Sequence, residues 1–77
     1  MLTIKDVAHF IWDFGQEFFL ETEHGNYIWS DPDYDGDNTL RKTHLSYDMW
    51  IGDMYGRDKG THYIEDYCGP NVKIIED

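Results

Sequence analysis

Ile4-Lys5-Asp6-Val7-Ala8-His9-Phe10-Ile11-Trp12-Asp13-Phe14 places apolar side chains at Ile4, Val7, Ala8, Ile11 and Phe14. That spacing follows one face of a helix, which turns once about every 3.6 residues. Thr3 ahead of it suits an N-cap, and Asp6 three residues later imitates the second half of a capping box. Gly15 supplies a C′ stop. Together these signals predict a helix over 4–14. Phe10 and Trp12 fall off the stripe, so the helix is expected to be covered on two sides.

The rest of the chain is read around that helix. Glu17 to Glu23 and Tyr27 to Ser30 are aromatic-rich runs on either side of His24-Gly25-Asn26, which predicts a β-hairpin. Phe18, Leu20 and Thr22 share one strand face; Phe19, Glu21 and Glu23 share the other, which is expected to be wet. Asp31 to Asn38 reads as a loop, because Pro, Gly and Asx residues disfavour a central strand. Thr39 to Leu45 is a candidate third strand. Ser46 can cap a short helix carrying Tyr47, Trp50, Ile51 and Met54, weakened by Gly52. Gly56 to Gly60 is a turn. Thr61 caps a second helix that buries Tyr63, Ile64, Tyr67 and Cys68 and ends at Gly69-Pro70. Val72 to Ile75 is a C-terminal strand. The expected fold class is α+β: a single compact domain over 1–77 with a small, mainly antiparallel sheet of three to four strands, an N-terminal helix and one or two further short helices.

Composition bounds the function. The chain has 77 residues, a formal net charge of -10, 40% hydrophobic and 17% aromatic residues. It is too apolar for a disordered acidic tail. At this mass a folded chain exposes about 4,900 Å². One cysteine forbids an internal disulfide, no apolar run reaches the roughly 18 residues of a membrane span, and the N-terminus has no basic-then-apolar leader. The expected setting is a reducing cytoplasm, with no membrane partner. The charge argues against direct nucleic-acid binding, which depends on Lys and Arg. It suits the converse role of binding a basic surface.

That charge is uneven. Residues 1–40 hold nine acids against Lys5 alone, whereas residues 41–77 hold seven acids and five bases. Alternate side chains on a strand repeat at about 6.6 Å. Glu21 and Glu23 would form such a ladder, as would Asp31, Asp33, Asp35 and Asp37 if extended. Trp29, Tyr34 and Tyr47 lie among these acids. Carboxylates with aromatics suit a surface that grips Arg and Lys by ion pairing and cation–π contact. Glu17, Glu21, Glu23, Trp29, Asp31, Asp33, Tyr34, Asp35 and Asp37 are therefore the candidate partner-binding residues.

Other chemistries are less well supported. Residues 31–42 imitate the first half of a calcium loop, with Asp31, Asp33, Asp35 and Asp37 as the alternative metal ligands and Gly36 at the sharp turn. Lys42 stands where that loop needs a bidentate Glu, so an Asx-rich turn is the preferred reading. His9, His24, His44 and His62 show no zinc-ligand spacing. Cys68 reads as a small buried thiol, not a nucleophile. Gly56 to Gly60 lacks the spacing of a phosphate loop. No catalytic constellation emerges, and neither an enzyme nor a cofactor is expected. In length, acidity and aromatic richness the chain resembles small acidic phage-encoded anti-defence inhibitors, the anti-CRISPR and anti-restriction proteins, some of which mimic DNA. The resemblance implies a non-enzymatic inhibitor in the bacterial cytoplasm that occludes a CRISPR effector or a restriction enzyme. A protein-interaction or regulatory domain without nucleic-acid mimicry is the other expectation.

Overall fold

A computed structural model describes residues 1–12, 17–35, 37–51 and 57–76. The strands are β1 (Val7–Trp12), β2 (Glu17–Thr22), β3 (Gly25–Ser30), β4 (Thr39–Thr43), β5 (Arg57–Tyr63) and β6 (Lys73–Ile75); the helices are α1 (Pro32–Asp35), α2 (Tyr47–Ile51) and α3 (Ile64–Cys68). One six-stranded sheet runs β5-β1-β2-β3-β4-β6. Every pairing is antiparallel except β4 with β6. The expected three- to four-stranded sheet with an N-terminal helix is thus overturned.

Within the predicted N-terminal helix residues 7–12 form β1, paired with β2 on one side and β5 on the other, while 13–15 lie outside the described residues. Ala8, Phe10 and Trp12 point to one face, and Ile11 points to the other. Phe10 is fully buried and Ile11 is 6% exposed, so the strand is apolar on both faces. A strand covered twice loses the alternation that betrays strands, and its apolar residues then satisfy helical spacing by coincidence. Its Val, Phe, Ile and Trp content suits the pleated sheet. The Thr3–Asp6 pair forms half of a capping box without a helix behind it. Thr3 N–H donates to Asp6 Oδ2 at 2.8 Å, and Asp6 N–H donates to the Thr3 carbonyl at 3.1 Å, closing a turn.

The predicted turn at Gly56 to Gly60 is corrected over 57–60, which open β5, while Gly56 lies outside the described residues. Phe10 pairs with Gly60 but Ile11 pairs with Asp58, which leaves Lys59 as the extra residue of a β-bulge. Gly60 has φ +90°, and its N–H donates to Asp58 Oδ1 at 2.7 Å. The turn-forming residues therefore shape an irregularity inside a strand. The hairpin of β2 and β3, β4, the short α2 and the C-terminal β6 lie where their residues place them. α3 starts at Ile64, not after Thr61. Its first amides are satisfied by tertiary contacts, with Ile64 N–H on the Asp6 carbonyl and Glu65 N–H on the Ile4 carbonyl, both at 2.9 Å.

Both long connections join parallel strands across the sheet. β4 to β5 crosses in one direction through α2, and β5 to β6 crosses back through α3. Two crossovers of one hand that run in opposite directions must cover opposite faces. They do. Tyr67 of α3 packs on Phe10, Phe18 and Trp29 with centroids 4.3, 5.6 and 5.7 Å apart. Trp50 of α2 packs on Phe19 of the other face at 5.4 Å. The Phe19 face, expected to be wet, is therefore partly roofed, and Phe19 is fully buried.

Asn38 joins three elements at the far end. Trp29 Nε1 donates to its Oδ1 at 2.6 Å, its Nδ2 donates to the Cys68 carbonyl at 2.7 Å, and its own carbonyl accepts Lys73 N–H at 2.9 Å. Two stability measurements follow. Phe10→Ala should cost about 3–5 kcal/mol in urea unfolding, as for a fully buried aromatic. Asn38→Ala should cost about 2 kcal/mol or more, because it strands a half-buried indole N–H and a carbonyl; a loss under half that would show that the two groups find other partners.

Candidate partner-binding surface

The nominated acids split between the two ends of the β2–β3 hairpin. Glu21 and Glu23 lie toward the hairpin turn. That turn is closed by Thr22, whose Oγ1 donates to the Gly25 carbonyl at 2.7 Å and accepts His24 N–H at 3.0 Å. Gly25, at φ +120°, adopts a backbone that disfavours other residues. Asp31, Asp33 and Asp37 follow the opposite end of β3, roughly 17–20 Å away along a six-residue strand. Glu17 sits at that same end, opposite Ser30.

Glu17, Glu21, Glu23, Asp33 and Asp37 are exposed, and Asp31 is half-buried. Residues 31–37 do not run as an extended ladder, since Pro32–Asp35 is helical and Asp31 Oδ1 accepts Asp33 N–H at 2.9 Å. The side chains of Tyr34 and Asp35 lie outside the described residues. Trp29, nominated as an apolar anchor, is instead a core residue at 5% exposure, tied by its indole N–H to Asn38. The loop's calcium reading gains nothing: strands, not helices, flank it, and among the described residues its acids do not converge.

The electrostatics are not uniformly negative. Glu17 lines an open recess of about 220 Å³ together with Arg41, Lys42, Ser30 and Thr43. Lys5 is paired with Glu65 at 3.1 Å, and Lys59 lies 4.6 Å above the Trp12 ring. Exposed carboxylates remain at the hairpin turn, Glu21 and Glu23, and in the loop after β3, Asp33 and Asp37.

Sequence reading missed two features. Tyr63, expected to be buried, is 54% exposed opposite Val7, itself 42% exposed. With Thr61, His62 and Asp66 this pair lines an open recess of about 300 Å³ at the β5 edge. The second is the approach of Asp6 to Glu23 and His24, which are 17 and 18 residues away in the chain. No linear spacing signals either; both depend on β1 being a strand.

Cys68, the last residue of α3, is buried at 5% exposure. Burial pushes its thiol up to about 12, with the nearby Asp31 charge acting the same way. Burial also raises Tyr67. A thiol held neutral has little nucleophilic character. No helix among the described residues is long and apolar enough to cross a membrane. Comparison with known proteins finds no matching family model, no similar curated protein and no similar solved structure.

The Cys68 shift has a definite sign. The folded state favours the neutral thiol, so this contribution is complete below the ordinary value of 9.0 and disappears as pH rises toward about 12. Urea midpoints should therefore fall steadily above about pH 9. Cys68 should also resist a disulfide reagent at pH 8 until the chain is unfolded; rapid labelling of the native protein would contradict its burial.

Proposed function

We propose that the chain is a non-enzymatic binding protein whose acidic surface occupies a basic, nucleic-acid-binding groove on another protein. The observation that carries this reading is the exposure of Glu21 and Glu23 at one end of the hairpin and of Asp33 and Asp37 at the other. Four carboxylates spread over roughly 20 Å match the reach of several phosphates along one strand of a duplex. Long-range attraction to a cationic groove would speed association and fade with salt. The compositional resemblance to phage-encoded anti-defence inhibitors directs the partner toward a CRISPR effector or a restriction enzyme in a bacterial cytoplasm. Trp29 has no place in the contact, because exposing it would open the core.

A second reading rests on the Val7–Tyr63 pair. Two neighbouring exposed apolar residues at a sheet edge suit a mainly apolar protein contact without nucleic-acid mimicry.

The experiment immobilises the chain, loads bacterial lysate and elutes with rising salt. Each retained protein is then tested for release of bound DNA or RNA on addition of the chain. Paired reversals Glu21→Lys with Glu23→Lys, or Asp33→Lys with Asp37→Lys, should weaken capture at least tenfold. Asp48→Lys, also exposed but on α2, should matter far less. Capture that survives molar salt and leaves the nucleic acid in place would reject mimicry in favour of the apolar contact.

A further inference from the structure

Asp6, Glu23 and His24 bring one ligand atom each to within 4.8 Å of one another. Asp6 precedes β1, whereas Glu23 and His24 form the β2–β3 turn, so the antiparallel pairing of β1 with β2 creates the cluster. His24 Nε2 lies 3.6 Å from Asp6 Oδ2 and 3.5 Å from Glu23 Oε1. Both separations exceed a normal hydrogen bond, for which about 2.9 Å is usual. One ring nitrogen carries at most one hydrogen, so it cannot satisfy two carboxylates.

We propose that Asp6, Glu23 and His24 form a binding site for a transition-metal dication of the zinc type. Zinc bonds of about 2.0–2.1 Å in a tetrahedral centre space neighbouring ligand atoms about 3.3–3.4 Å apart; the two separations from His24 come close to that, and the Asp6 and Glu23 oxygens lie within 4.8 Å of each other. The set is one nitrogen and two oxygen donors, which leaves a fourth position for water. An imidazole among the donors favours zinc, nickel or cobalt over calcium and magnesium. The surroundings support the ligands. Asp6 Oδ2 is oriented by the Thr3 amide at 2.8 Å, and the His24 backbone is held by Thr22 Oγ1 at 3.0 Å. Asp6 and His24 are half-buried while Glu23 is exposed, so a dication has an open approach. It would also relieve the repulsion of two carboxylates held together on a chain of net charge -10.

The site ties the N-terminal turn to the hairpin turn, so metal binding should stabilise the fold. Glu23 is shared with the proposed partner-binding surface, so the site is tested on the chain alone, without any partner. Zinc chloride, nickel chloride and calcium chloride are titrated separately into the chelator-treated full chain by calorimetry. Thermal unfolding and the imidazole NMR signals of the four histidines are followed in parallel. One zinc equivalent should bind with a rise in Tm and a selective shift of His24, while calcium gives neither. Glu23→Gln, which removes an exposed side chain, should weaken zinc binding at least tenfold, and His24→Ala should abolish the Tm rise. Circular dichroism confirms that the variants fold. His9→Ala should leave zinc binding intact, because His9 lies on the β5 side, with Asp58 Oδ1 3.4 Å from its Nε2 and Thr61 Oγ1 3.4 Å from its Nδ1. Absence of zinc binding, or zinc binding unchanged in Glu23→Gln and His24→Ala, overturns the site.

Discussion

Phe10 and Ile11 are neighbours in the chain, point to opposite faces of β1 and are both buried. That double burial is the constraint on which the architecture rests. A strand apolar on both faces needs a partner on each edge and a roof on each side. β2 and β5 supply the edges, and the crossovers through α2 and α3 supply the roofs. Among the described residues there is no second layer of sheet to do this. Helices of five residues suffice because each carries large aromatic side chains, Tyr47 and Trp50 above one face and Tyr67 above the other.

The two faces are unequally covered. The α3 side gathers Phe10, Phe18, Trp29, Leu20, Leu40 and Ile64 into the larger cluster, with Tyr67 packed on it. The α2 side gathers Ile11, Phe19 and Trp50. Beyond that smaller roof the sheet meets solvent through His9, Glu21 and the Val7–Tyr63 pair. Polar groups hold the ends of the sandwich. Asn38 binds β3, α3 and the start of β6, while the turn of residues 3–6 receives the first amides of α3. Each such bond is worth little more than about 1 kcal/mol net, yet a buried group left without it would cost more. Their role is to specify where the crossovers dock.

The acidic half of the chain is divided by the same geometry. Because β3 is extended, the carboxylates of the hairpin turn and those of the loop after β3 are held apart at opposite ends of one strand. Asp6 is folded back against the hairpin turn instead of standing on a separate helix, which concentrates unlike donors at one point of the surface.

Local patterns located the hairpin, β4, the Ser46-capped helix, the helix ending at Gly69 and the last strand, because turn residues and caps act over three or four positions. They failed at residues 4–12 and 57–60. In the first, burial on both faces erased the period of two. In the second, Gly60 and Asp58 shape a bulge with the same chemistry they would use in a turn. Exposed positions of Glu21, Glu23, Asp33 and Asp37 were legible from charge. The burial of Trp29 was not, since an aromatic beside acids reads alike whether its indole N–H meets water or Asn38.

Composition and local chemistry alone settled that the chain is strongly acidic, rich in aromatics for its core, and punctuated at His24-Gly25 and Gly69-Pro70. These are properties of residues and their near neighbours. Which strands pair, which faces are roofed, and that Asp6 meets His24 were decided only by tertiary structure. Such contacts join residues far apart in the chain, and the free energy that selects them is apolar burial, which has no direction along the sequence.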